Sequence, residues 1–230
     1  GENFDIVEDL FGNSVDEDAL PGVPIPDNDQ YNLLLIGVDE LNKSGAELES
    51  IWLVAHASDT SKVSLIPIFP SPEDPIQNLI LAKSFSLENG KPGIKFWDAM
   101  RNTNLWWNGY FLADMFMTMR MIDRMGGIKI QDRLLNGSQA VSSIPPWESD
   151  PSISVKYQML LIDGICNKIS ENQKEYLKAT SEFIFKNLRS ITKTGATFTN
   201  LSAQSEIRDK LICTYPTLEQ ARIVPISAHP

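Results

Sequence analysis

Asp39, Glu47 and Glu49 set three carboxylates close together in the chain. Hard divalent cations favour clustered carboxylate oxygens, so Asp39 with Glu49 is a candidate magnesium or calcium site. The competing reading is a set of solvated acids at a strand end and in the Leu41–Glu49 loop. Lys156 and Gln158 offer an ammonium and an amide suited to hold an anion near a helix start, or else form the polar face of that helix. Asp123 stands just before Gly126-Gly127 and is placed to cap or brace that turn. The chain has two histidines, His56 and His229, which argues against a histidine-rich zinc site or a Ser-His-Asp triad. Cys166 and Cys213 match no metal-binding spacing. Two buried, unpaired thiols are expected there, with pairing the alternative if the domain lies outside the cytoplasm.

The elements that must position these groups are legible from apolar patterning. Tyr31–Val38 reads as a buried strand that ends by presenting Asp39. In open α/β sheets the carboxyl edge of such a strand is where ligands bind. Ile51–Ala57 and Lys62–Ile68 flank Ser58–Ser61 and read as a hairpin. The prolines of Phe69–Pro75 forbid regular structure. Residues 76–87 are expected as a helix or extended arm, and Trp97–Asn104 as a short helix. Leu112–Met125 is the clearest helix, closed by Gly126-Gly127, with Ile128–Ile130 returning to the sheet. Leu134–Ser142 follows as a small helix and Ile144–Pro151 as an irregular loop. Ser154–Ser170 and Glu171–Arg189 are expected as helices, Gly164 being a weak point of the first. Ser202–Ile212 is expected as a last helix and Ala221–Ile226 as an edge strand. The fold class is α/β, with residues 1–29 an acidic, Pro-containing linker and 30–230 one domain.

The formal net charge of -10 is unevenly spread. Residues 1–29 hold nine acids and no Lys or Arg, which leaves a body with 21 acids and 20 bases. A neutral body without a basic stripe argues against nucleic acid as partner. No apolar run approaches the roughly 18 residues of a membrane-spanning helix. Met115, Phe116, Met117, Met119, Met121 and Met125 form a stretch that is either a methionine-rich core helix or the wall of a lipid pocket, with Phe116 and Met119 the pocket candidates. Trp106-Trp107 with Tyr110-Phe111 is a core anchor, a carbohydrate-stacking surface or a membrane contact.

Five segments in order resemble the LytR-CpsA-Psr family, also described as cell envelope-related transcriptional attenuator domains. Leu33-Leu-Leu-Ile-Gly-Val-Asp39 is similar to its opening strand and aspartate. Ile51–Ala57 with Val63–Ile66 is similar to the hairpin that follows. Met121–Ile130 resembles its Asp-x-x-Gly-Gly-Val signature, Leu135–Val141 its Leu-x-Gly-x-Gln-Ala-Leu segment, and Phe198–Ser202 a late Thr-Asn-Leu turn. The resemblance covers roughly residues 31–212 and implies one domain with a mixed central β-sheet and helices on both faces. It implies an extracytoplasmic, cell-envelope location behind an N-terminal transmembrane anchor upstream of Gly1. The implied activity is transfer of a glycopolymer from a polyprenyl-pyrophosphate carrier, with magnesium as cofactor. Asp39, Asp123, Lys156 and Gln158 are the substrate-binding positions it implies.

The chain departs from the family where that chemistry needs positive charge. Arg-Ser-Asp-Thr becomes Glu47-Leu48-Glu49-Ser50, and Pro-Arg-Asp becomes Phe69-Pro70-Ser71. Pro145-Pro146-Trp147 stands near the later arginine-rich segment, and Arg-Gln-Gln becomes Lys156-Tyr157-Gln158. Each charge-assisted phosphate contact is worth about 1.5–3 kcal/mol, and about 1.4 kcal/mol is a decade in rate. Losing several removes powers of ten. The expected function is therefore a degenerate binder of polyprenyl-linked lipid or cell-wall glycopolymer. An active phosphotransferase with relocated cations and a structural module of an envelope complex are the alternatives.

Overall fold

The computed structural model describes residues 16–27, 30–43, 45–57, 62–172, 176, 188–190 and 211–217. A short 3-10 turn, Glu17–Ala19, comes first. There follow β1 (Gln30–Val38), β2 (Leu48–Ala57), β3 (Lys62–Phe69), α1 (Pro75–Ser84), β4 (Leu87–Glu88), β5 (Lys91–Pro92) and α2 (Ile94–Arg101). Next are β6 (Gly109–Asp114), α3 (Met115–Arg124), β7 (Ile128–Ile130), β8 (Arg133–Leu135), α4 (Gly137–Val141), α5 (Pro151–Glu171), β9 (Leu188–Ser190) and β10 (Ile212–Thr214). Among the described residues six strands form the main sheet in the order β10-β3-β2-β1-β6-β9. It is mixed: β1 pairs antiparallel with β2 and parallel with β6, and β10 lies parallel to β3.

Both faces of this sheet are covered. Leu34, Ile36 and Val38 of β1 join Ile51, Leu53, Ile66 and Leu112 against Leu81 of α1 and Phe96, Trp97 and Met100 of α2. Leu33 and Phe111 on the opposite face meet Met117 of α3, and Trp52 and Leu65 meet Val155 and Met159 of α5. Burial on two sides is why β1 reads as a continuous apolar run rather than an alternation. The chain therefore has the α/β architecture expected of it, a mixed sheet between helices.

Several boundaries differ from the sequence reading. The helix expected over Leu112–Met125 is strand β6 through Asp114 and helix only from Met115. Apolar residues flank Asp114 on both sides of that junction, so periodicity alone does not mark it. Asp114 marks it, because its carboxylate accepts from the Met117 amide at 2.8 Å and caps the helix. Ile128–Ile130 does not return to the main sheet but pairs with β8 in a separate two-stranded ribbon. Leu134 and Leu135 belong to that ribbon, leaving α4 to start at Gly137. Gly164 is no weak point: it brings α5 close over β7, where a Cβ would meet the Lys129 carbonyl at 3.0 Å. Of the helix expected over Glu171–Arg189, residues 173–175 and 177–187 lie outside the described residues while Leu188 and Arg189 are in strand β9, and Ile212 opens β10. Ser58–Ser61, most of the Ser202–Ile212 helix, the Ala221–Ile226 strand and the Phe198–Ser202 motif lie outside the described residues.

Part of the acidic N-terminal segment is docked rather than solvated. Ala19 is fully buried, and its carbonyl accepts from Trp107 Nε1 at 2.8 Å. Asp16 accepts from the Tyr110 hydroxyl at 2.9 Å and pairs with Lys91 at 3.2 Å. Arg101 Nε donates to the Leu20 carbonyl at 3.1 Å. Trp107 and Tyr110 both pack on Trp97, with ring centroids 6.1 and 4.9 Å away. The Trp-rich segment is thus a core anchor, not a stacking surface.

Cys166 and Cys213 are joined in a disulfide, which corrects the expectation of two unpaired thiols. They are 47 residues apart, and only the fold brings α5 beside β10. Closing so long a loop restricts the unfolded chain by about 4 kcal/mol in the chain-entropy account. The Cys166→Ser/Cys213→Ser double variant should lose several kcal/mol of urea-unfolding stability against the oxidised protein. Equal midpoints and slopes would show that the bond contributes nothing.

Candidate functional site

The parallel pairing of β1 with β6 ends at Val38 opposite Asp114, so two strands deliver their carboxyl ends to one edge. The loop that leaves β1 folds back on itself there. Asp39 Oδ1 accepts from the Glu40 and Glu47 amides, both at 2.8 Å, and Oδ2 pairs with Lys43 Nζ at 2.6 Å. Burial pushes the Asp39 carboxyl upward, but Lys43 and the two amides outweigh it and hold the group below its ordinary range. Asp39 is therefore an ionised clasp whose oxygens are already occupied by its own loop.

Glu49, the other half of the expected metal pair, lies half-buried on β2. Burial, then the charges of Glu148, Asp39 and Glu47, push its carboxyl up to about 7, and Lys43 only partly opposes this. No group of three or more His, Cys, Asp or Glu side chains among the described residues is arranged to hold a metal ion. With Asp39 committed to Lys43 and the backbone, these donors do not fit a magnesium ion, and no step is assigned to one.

Gln158 is buried on α5 and fastens that helix to β2. Its Oε1 accepts from Trp52 Nε1 at 3.0 Å, and its Nε2 donates to the Glu49 carbonyl at 3.2 Å. That leaves its amide little capacity for a ligand, although the bond places it directly behind Glu49. Lys156, on the same helix, is exposed. The helix start itself is closed by Asp150, which accepts from the Ser152 and Ile153 amides, so an anion there would face a carboxylate.

Asp123 stands apart from this group. Its Oδ1 accepts from the Gly137 amide at 2.7 Å and ties α3 to α4. Gly137 permits the contact, since a Cβ there would collide with the Met119 carbonyl. Phe116 and Met119 separate in the same way. Met119 packs into a second core with Ile122, Ile128, Val141 and Leu161, while Phe116 points outward. The fold thus brings Asp39, Glu49 and Gln158 together and leaves Asp123 and Met119 elsewhere.

A cleft opens beside the Asp39 loop, and of its lining the sequence reading named Phe116 alone as a pocket residue. It is lined by Glu40, Leu41, Asn42, Asp114, Phe116, Met117 and Arg120, with a volume of about 360 Å³. Asp114 builds it, bonding the Leu41 amide at 3.3 Å as well as that of Met117. An Asp three residues before the amide it caps was the available signal. Glu148, a main source of negative charge on Glu49, was also missed, because it comes from a loop about a hundred residues downstream.

No family model matches the chain, and no curated protein matches it in sequence. Solved structures do match its fold. A LytR-Csp2A-Psr enzyme from Actinomyces oris is 14% identical with a TM-score of 0.59, covering 87% of this chain and 84% of that one. TagT bound to LI-WTA is 12% identical with a TM-score of 0.54, covering 87% and 84%. TagV of B. subtilis is 14% identical with a TM-score of 0.53, covering 83% and 85%. At such identities the likeness speaks for the fold, and the fold of this chain is LytR-CpsA-Psr-like.

Proposed function

We propose that this chain is an extracytoplasmic domain of cell-envelope glycopolymer metabolism that binds a polyprenyl-linked lipid or glycopolymer without transferring it. The observation that carries the reading is the sign of the charge at the carboxyl end of β1. Transfer from a pyrophosphate needs cations to hold the diphosphate and stabilise the departing phosphate. Here Glu47, Glu49, Glu148 and Asp39 gather there, Lys43 is consumed by Asp39, and Arg120 of the neighbouring cleft shares it with Glu40 and Asp114, so negative charge prevails. The fold shared with TagT and the Actinomyces oris enzyme supports the envelope setting. The disulfide supports the location, since such bonds persist in oxidising compartments. No helix among the described residues is long and apolar enough to cross a membrane.

Turnover is the decisive test. Incubated with a polyprenyl-pyrophosphate-linked glycan and magnesium, the protein should release no polyprenyl phosphate above background while native mass spectrometry records a bound carrier or polymer. Magnesium-dependent release would overturn the proposal, and so would a folded protein that binds neither.

Charge at Glu49 also sets a pH dependence. Its folded value of about 7 exceeds its ordinary 4.5, so between these pH values the folded protein holds a proton that the unfolded chain has lost. Stability therefore falls as pH rises through that window. Allowing for the half-exposed carboxylate, the loss is about 1–2 kcal/mol. Glu49→Gln should be as stable as the parent at pH 5 and more stable at pH 8, measured by urea unfolding. A difference that stays constant between the two pH values would show that Glu49 titrates normally.

A further inference from the structure

We propose that residues 4–11 are an amphipathic strap that packs on the exposed side of α1, with apolar side chains on Ile76, Leu79 and Ile80 and carboxylates beside Lys83 and Lys95. α1 buries only Asn78 and Leu81. Ile76, Leu79 and Ile80 are 70%, 50% and 46% exposed, and Lys83 continues their stripe at helical spacing. α1 meets α2 through the rings of its cap Phe85 and of Phe96, 5.2 Å apart. At the start of α2, Ile94 is 44% exposed and Lys95 follows it to the surface. Exposed apolar rows rimmed by charge mark contact surfaces. Lys83 and Lys95 make no ion pair among the described residues.

The course of the chain points to the occupant. Residues 16–22 run along α2 from its start to its end. Asp16 pairs with Lys91, just ahead of α2, while the Asp18 and Leu20 carbonyls accept from Arg101 at its far end. Followed backward from Asp16, the chain therefore leaves the body beside the start of α2. Residues 12–15 span at most about 14 Å, and packed helices lie about 8–10 Å apart, so α1 is within reach. Residues 1–15 lie outside the described residues, but their sequence suits this face. At 3.6 residues per turn, Phe4, Ile6, Val7, Leu10 and Phe11 share one side, and Glu2, Asp5, Glu8 and Asp9 share the other. Four carboxylates without a Lys or Arg complement two unpaired ammonium groups.

Two other occupants fit worse. A second copy would set Lys83 and Lys95 against their own counterparts. Three or four side chains from each chain also fall short of the roughly 800 Å² per partner of a stable interface. A bilayer surface would accept the lysines, but Glu73, Asp74 and Asp98, exposed on or just before these helices, would face its anionic headgroups.

The test uses the full chain and two readouts. Carbodiimide joins a carboxylate to a lysine amine with loss of water and adds no spacer. Monomer peptides linking Glu8 or Asp9 to Lys83 or Lys95 are expected, and amide exchange at residues 4–11 should be slower than in the urea-unfolded chain. In Ile80→Asp and in Phe11→Asp the links should disappear and that exchange should quicken about tenfold or more, the scale of one lost apolar contact. Leu134→Asp, at a site 63% exposed on β8, should leave both readouts as in the parent. Unchanged amide protection across β1 confirms that each variant is folded. Unslowed exchange at residues 4–11 in the parent overturns the strap, as does slow exchange that survives Ile80→Asp or is equally lost in Leu134→Asp. Slow exchange without coupling to Lys83 or Lys95 overturns it by placing the segment elsewhere. Links found only between two chains overturn it by making a second copy the occupant. Binding of the parent to phosphatidylglycerol vesicles that Ile80→Asp abolishes overturns it in favour of a bilayer.

Discussion

The parallel pairing of β1 with β6 is the constraint from which the functional edge of the molecule follows. Because Val38 lies opposite Asp114, the loop after β1 and the first turn of α3 must leave the sheet side by side. Asp114 then holds both, one oxygen on the α3 amide and the other on the amide of Leu41. A single carboxylate thereby sets the width of the cleft and the position of the Asp39 loop. Parallel strands need a long crossover, and here it runs through β2, β3, α1 and α2 before the chain returns to β1's free side. That crossover covers one face of the sheet, while α3 and α5 cover the other. Both the acidic group behind Asp39 and the cleft before it are therefore held by buried strands rather than by loops alone.

The charge of that edge is what favours the proposed function among those that the fold leaves open. A shared architecture hosts many activities, and the activity has to be argued from the site. Asp39 keeps the place its strand assigns it, yet its partners are Lys43 and backbone amides from its own loop. Glu49 is backed by a Gln158 bond that fixes the strand behind it, so its proximity to Glu148 and Asp39 is built in and not a matter of side-chain drift. Its raised titration is what the fold does when it half-buries a carboxylate among others of its kind. A pocket that resists ionisation of one of its own acids is poorly suited to gather the charge of a diphosphate.

Much of the fold was legible in the chain because β1, β2 and β3 are apolar enough to declare themselves. The helix end at Gly126-Gly127 was legible because its cap is clear, whereas the start of α5 at Asp150-Pro151 lies inside the loop expected over Ile144–Pro151, three residues before the expected Ser154. The β6–α3 junction was not legible, because apolar residues flank Asp114 on both sides, Tyr110–Ala113 and Met115–Met117, and the change of period falls at that single polar residue. The pairing of Ile128–Ile130 was hidden for a different reason: three residues specify a strand but not its partner. The site divided along the same line. Asp39 and Glu49 are near in sequence, so their association could be anticipated. Glu148, Gln158 and Arg120 reach the same edge from distant segments, and that proximity exists only after folding. The same holds for the two cysteines and for Asp16 against Tyr110.

The disulfide has a structural role that bears on where such a chain can work. β10 is a three-residue strand at one edge of the main sheet, lying parallel to β3, and short edge strands contribute little pairing energy of their own. Ser64 and Thr214 exchange a hydroxyl bond at 3.0 Å across it, and Tyr215 donates to Asp163 of α5 at 3.0 Å. Cys213 adds a covalent tie from the middle of this strand to Cys166 on α5. Without the tie, the β3 edge is a row of backbone donors and acceptors that another chain could pair with. A sheet edge covered in this way relies on a bond that reducing compartments remove. The closure of the fold at β3 and the proposed setting outside the cytoplasm make the same demand, met by two cysteines that no local pattern connects.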